Sequence, residues 1–186
     1  MTALPRRDGA VLGAVDALSV WGVTGALVAA FADQFVMGEL PCPLCILQRV
    51  AFVLVGFAFA LNLRFGPSPA HYGLAIVAAV AGAAASARQV LLHIAPGDPG
   101  YGSALFGLHF YTWALIAFVA AILFCAAMLM ALPWRPERAG GNMSGFEQGA
   151  LWSLLLVTVA NAVSTLVECG PGTCPDNPVS YLWWPF

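Results

Sequence analysis

The chain contains no lysine, and charged residues fill only 9% of its 186 positions. Its cations are seven arginines, nowhere clustered into a basic patch, so nucleic acid is excluded as a partner. A soluble domain is about a quarter charged. The deficit here, with 61% hydrophobic residues and a mean hydropathy of +0.85, excludes a soluble globular protein and points to an integral membrane protein. No segment outside the apolar runs is long enough to bury a core of its own, so residues 1–186 read as a single transmembrane domain. Histidine is scarce as well, at three residues, and neither His93 nor His109 falls in a metal spacing with the cysteines. No metal is expected. The first apolar run exceeds the roughly 7–15 residues of a signal h-region, so a cleavable leader is not expected either.

What the chain has in abundance is long apolar stretches. Five runs, at about 11–32, 45–63, 72–92, 108–132 and 149–167, are each close to the ~20 residues that cross a bilayer as a helix. They predict an all-α integral membrane protein: a four-helix transmembrane bundle plus a fifth transmembrane helix. Between them, 33–41 reads as a short loop, Gly66-Pro67-Ser68-Pro69 as a turn, 93–107 as a Pro/Gly-rich loop and 133–145 as a polar loop. Residues 168–186 read as a tail. Arg6, Arg7, Arg64, Arg135 and Arg138 all fall on one side of the membrane, which the positive-inside rule assigns to the cytoplasm. The N-terminus is then inside, and the tail outside.

That orientation brings four of the five cysteines to the outer face, where disulfides persist. Cys42 and Cys45, spaced C-x-x-C at the head of the second run, can close a small ring. Cys45 falls in the first helical turn, where exposed amides and the helix dipole favour a thiolate. Arg49, four residues on, rises on the same helical face and can reach back to that sulfur. A structural disulfide with a snorkelling arginine is the plainer alternative to a redox dithiol. Cys169 and Cys174 flank Gly-Pro-Gly-Thr and can pair across a turn, as a staple of the tail or as a second redox pair exchanging with the first. A four-cysteine zinc site is formally possible, although structural zinc usually serves small soluble folds. Cys125, mid-span, reads as a small core residue. Arg88 and Gln89, near the outer end of the third run, can hydrogen-bond a quinone carbonyl, or Arg88 can snorkel. Trp183, Trp184 and Phe186 read as interfacial anchors, and the sequon at Asn142 falls on the inner side.

The string Cys42-Pro43-Leu44-Cys45-Ile46-Leu47-Gln48-Arg49-Val50-Ala51, opening a second span after a short outer loop, resembles the bacterial DsbB family of disulfide bond formation proteins. The Arg88-Gln89 end of the third run and the Pro-rich loop after it resemble that family too. The resemblance covers roughly residues 11–132. It implies a bacterial inner-membrane thiol:quinone oxidoreductase that reoxidises a periplasmic thioredoxin-fold thiol oxidase, DsbA, and delivers electrons to the ubiquinone or menaquinone pool. By position, Cys45 would contact the quinone, Cys42 would exchange with the second cysteine pair, and Arg49 would stabilise the anionic sulfur and the reduced quinone oxygen. The chain departs from the family in one respect. The outer loop 93–107, where the family carries its second cysteine pair, has no cysteine, and Cys169 and Cys174 lie beyond a fifth run instead. Two other readings compete: a vitamin K epoxide reductase-like disulfide oxidase, whose C-x-x-C belongs to a later helix, and a non-catalytic membrane protein with structural disulfides.

Overall fold

Three of the helices begin on side chains that take up the free amides of a first turn. Cys42 caps α2 (Pro43–Phe65), Ser68 caps α3 (Pro69–Leu92), and each is followed by a proline, which gives up no hydrogen bond at the first helical position. Ser144 and Glu147 form a reciprocal capping box at the start of α5 (Gly145–Cys169). With α1 (Arg6–Ala32) and α4 (Phe110–Ala131), these make an all-α fold with five long helices among the described residues, each of 22 to 27 residues. At a rise of about 1.5 Å per residue each helix exceeds ~30 Å, the thickness of a bilayer's hydrocarbon core. The protein is a multi-pass membrane protein.

The computed structural model describes residues 6–131 and 143–183, with side chains from Val11 onward. Arg135, Glu137, Arg138, Asn142, Trp184 and Phe186, and the side chains of Arg6 and Arg7, lie outside what is described.

The helices pack in the order α4, α3, α2, α1, α5, with α5 also leaning on α2. Close approach depends on small residues, as expected where lipid replaces water and packing drives association. Gly56 of α2 faces Leu154 of α5 and Val23 of α1, and Gly82 of α3 faces the ring of Phe118 on α4. Phe118 is fully buried and stacks on Phe52 of α2, with ring centroids 4.2 Å apart. Cys125 is buried in the same core, as its mid-span position predicts. At the end of the bundle away from the cysteines, buried Asp16 accepts hydrogen bonds from Asn62 and Tyr72, joining α1, α2 and α3.

The structure differs from the sequence reading at several boundaries: α1, α3 and α5 start earlier, at Arg6, Pro69 and Gly145, and three further differences bear on the site. Residues 33–37, expected in a loop, continue α1 as a wider π-helical turn (Asp33–Met37), which Gly38 ends with a positive φ of 72°. Helix α2 starts at Pro43 rather than Cys45, making Cys42 its cap. Helix α5 runs on through Glu168 and Cys169, so these belong to the helix and not to the tail. The 93–107 loop ends in a two-residue hairpin, β1 (Ala104–Leu105) with β2 (Leu108–His109). It folds back over the α1–α2 connection: the Tyr101 hydroxyl donates to the Leu40 carbonyl at 2.6 Å, the Ser103 amide donates to Glu39 at 2.6 Å, and the Ser103 hydroxyl donates to Asp33.

Candidate functional site

The start of α2 sets the position of both sulfurs. As the capping residue, Cys42 turns its Sγ toward the first turn and accepts the backbone N–H of Cys45 at 3.2 Å. The amide expected to favour a Cys45 thiolate is thus aimed at Cys42, because the helix begins two residues early. The Cys42 thiol falls from its ordinary 9.0 to about 7. The largest cause is the hydrogen bond from the Cys45 side chain; the amides of Cys45 and Leu44 and the Gln89 side chain add to it, and burial opposes it. Both cysteines are free thiols here, Cys42 buried and Cys45 half-buried.

Gln89 reaches across from α3 to both sulfurs. Its Nε2 lies 3.4 Å from Cys42 Sγ and 3.5 Å from Cys45 Sγ, while its Oε1 accepts from Gln48 Nε2 at 2.8 Å. Gln89 is 1% exposed, and Gln48 is buried beside it. In this arrangement the Gln89 amide sets its N–H donors toward both sulfurs, and its Oε1 also lies 3.9 Å from Cys45 Sγ.

Arg49 projects from the same helix toward α1. Its Nη1 donates to Gln34 Oε1 at 2.8 Å, its Nη2 donates to the Ala30 carbonyl at 2.9 Å, and the guanidinium lies 5.4 Å from the centroid of the Phe31 ring. These bonds use two of the five N–H donors of a guanidinium. Cys45, Gln48, Arg49 and Gln89 line one wall of a cavity of about 360 Å³ in the gap between α1 and α4, whose other walls include Leu27, Phe52 and Trp113. Tyr101 and Gly102 of the folded-back loop also border it.

Of the residues the sequence singled out, Cys45, Arg49 and Gln89 therefore meet at one cavity, with Cys42 directly behind. Arg88 does not join them. Neighbouring positions on a helix point about 100° apart, so with Gln89 turned inward Arg88 is exposed on the outside of α3. Cys169 and Cys174 are joined by a disulfide, Cys169 buried at the end of α5 and Cys174 half-buried. Three contributors escaped the sequence reading: Gln34, Gln48 and Glu168. Gln48 stands three residues after Cys45, on the face that also carries Arg49, and that spacing could have found it. Glu168 is fully buried, with neither carboxylate oxygen hydrogen-bonded among the described residues, and lies within electrostatic reach of Arg49.

Comparison with known proteins finds similarity over the part of the chain that carries the two free cysteines of this site. Residues 14–103 match the family described as Disulfide bond formation protein DsbB. The chain is 39% identical over 97 residues to a Disulfide bond formation protein B of Chromohalobacter salexigens, covering 50% of this chain and 53% of the relative. It is 45% identical over 78 residues to a protein of that description from Marinobacter nauticus, covering 40% and 46%, and 36% identical over 103 residues to one from an Azoarcus species, covering 53% and 59%. The chain thus spans about half the length of the curated relatives it matches. No solved structure matches it significantly. The matched segment holds most of α1, all of α2 and α3, and both free cysteines of the site; α4, α5 and the Cys169–Cys174 disulfide lie beyond it.

Proposed function

We propose, from the premise that residues 14–103 belong to the DsbB family, that the chain is a thiol:quinone oxidoreductase making disulfides outside the bacterial inner membrane. The observation that carries the reading is a vicinal dithiol, one sulfur capping a helix and the other lining an apolar cavity beside a guanidinium with unused donors. A quinone needs apolar walls for its ring and tail and N–H donors for its carbonyls, and the cavity between α1 and α4 offers both. When bound, a quinone takes up the two electrons and two protons released as the Cys42 and Cys45 thiols join.

The protein's own groups then have separable tasks. The first-turn amides and Gln89 hold Cys42 as the more ionised sulfur of the reduced pair, and in the oxidised pair Cys42 is the sulfur that an incoming thiolate attacks. Cys45 presents its sulfur to the cavity. Arg49 supplies positive charge where an oxygen gains electron density, and Gln48 holds the Gln89 side chain beside the sulfurs. Leu27, Phe52 and Trp113 keep water from the reacting atoms.

On this reading a reduced thioredoxin-fold protein of the DsbA type transfers its electrons to Cys169–Cys174, breaking that disulfide as its own forms. The resulting thiols then reduce a Cys42–Cys45 disulfide by a second exchange, and the quinone pool reoxidises the site. The N-terminus is cytoplasmic and α5 ends in the periplasm, as the arginine distribution favours. Turnover of purified protein in detergent tests the proposal. Ubiquinone-1 should support oxidation of dithiothreitol, and Cys45→Ser should abolish it; equal rates in parent and variant would refute the assignment.

A further inference from the structure

We propose that α5 and its tail complete the Arg49 site, with Gln34 as the positioning residue that carries their influence to the guanidinium. The inference rests on the reading of the α1–α4 cavity as the quinone site, and it concerns a part of the chain beyond the family match.

Gln34 sits in the π-helical turn that prolongs α1, and it is 2% exposed. Arginine can only donate, so the end of the Gln34 amide facing Arg49 must be its oxygen. The two hydrogens of Nε2 are thereby directed away, and two hydroxyls receive them: Ser164 Oγ of α5 at 2.9 Å and Tyr181 Oη of the tail at 2.9 Å. Removing those acceptors would leave two buried donors unsatisfied and the amide free to turn. A turned amide would set its NH₂ group against the guanidinium, and Arg49 would lose one of its two anchors.

The tail is itself held in place. The Leu182 amide donates to the Glu168 carbonyl at 3.2 Å and the Trp183 amide to the Val167 carbonyl at 3.1 Å, bringing Tyr181 back onto the end of α5. The Cys169–Cys174 disulfide closes the turn between helix and returning strand of chain. Glu168, fully buried on the same helix, adds a carboxylate within electrostatic reach of the same guanidinium. Two separate features of α5 thus converge on Arg49.

The test uses the purified full-length chain and its Ser164→Ala/Tyr181→Phe variant, with Gln34→Leu as a second variant and Tyr181→Phe alone should the double variant not fold. Hydrogen exchange of the Arg49 guanidinium, followed by nitrogen-15 arginine NMR without any quinone, should be slow in the parent and at least about tenfold faster in the variants, the factor for losing one charge-assisted hydrogen bond. With ubiquinone-1, KM should rise by about the same factor while kcat stays within about twofold, and Gln34→Leu combined with the double variant should show no additive effect. A stabilising role alone would leave both the exchange and KM of the folded protein unmoved. Arg49 exchange unchanged in folded variants overturns the proposal. If exchange responds but the parent chain shows no ubiquinone-1 turnover, the positioning stands and the quinone reading falls.

Discussion

Replacing Cys45 with alanine should make Cys42 a weaker nucleophile at neutral pH, although the backbone amide that caps onto its sulfur remains. The Cys45 side chain is the largest influence lowering the Cys42 thiol from 9.0 to about 7. At pH 7 a thiol with the lower value is about half ionised and one at 9.0 only about 1% ionised, roughly a fiftyfold difference in thiolate. A more acidic thiolate is also a poorer nucleophile. With a Brønsted slope of about 0.4–0.5, two pKa units cost about six- to tenfold in reactivity per thiolate, leaving a net advantage of about five- to eightfold. The assay is iodoacetamide alkylation of reduced protein from pH 5 to 10, read at Cys42 by peptide mass spectrometry. In the parent, the Cys42 rate should climb with a midpoint near 7 and level off above it, because the ionised form is the reactive one. In Cys45→Ala the midpoint should move upward and the rate at pH 7 should fall, by no more than about eightfold. A parent midpoint near 9, or a midpoint that Cys45→Ala leaves in place, would refute the assignment of Cys42 as the activated sulfur.

Other perturbations test separate parts of the site. Arg49→Ala should raise KM for ubiquinone-1 by roughly ten- to a hundredfold, the equivalent of a charge-assisted contact of about 1.5–3 kcal/mol, with the helix content by circular dichroism unchanged. Arg88→Ala, outside the cavity, should leave that KM within about twofold. Gly82→Ala should lower the thermal midpoint, because its Cβ would enter the ring of Phe118; overpacking of this kind costs about 1–3 kcal/mol. Cys169→Ser/Cys174→Ser should keep dithiothreitol oxidation but lose oxidation of a reduced thioredoxin-fold protein. Near-normal turnover of the protein substrate would reduce the disulfide to a staple, worth about 2 kcal/mol for so short a loop. A periplasm-active reporter fused after Trp183 should be active, and activity of a cytoplasmic reporter there would reverse the orientation.

The sequence made the parts governed by local rules legible. Five apolar runs correspond to five helices because a chain in lipid must satisfy its backbone within each span. Arg49 and Cys45 share a helical face by spacing alone. What the sequence left open depends on helix boundaries and rotation. Pro43 at the first helical position makes Cys42 the cap, and that two-residue shift exchanges the roles of two sulfurs toward the amides. Arg88 and Gln89 are adjacent and chemically plausible alike, and only the packing of α3 against α2 decides which faces the cavity. Gln34 was hidden for another reason: its partners Ser164 and Tyr181 lie 130 and 147 residues away. No local pattern reports a contact of that separation.

The central claim is that electrons leave the Cys42–Cys45 dithiol for a quinone in the adjoining cavity. Its most direct test is a single-turnover reaction of the reduced chain with ubiquinone-1 under anaerobic conditions, counting hydroquinone by absorbance and mapping disulfides by mass spectrometry. One hydroquinone is expected for each disulfide formed in the chain, whether it stays at Cys42–Cys45 or passes to Cys169–Cys174, and none in Cys42→Ser/Cys45→Ser. Hydroquinone formed by that double variant, or a Cys42–Cys45 disulfide formed with no quinone consumed, would contradict it.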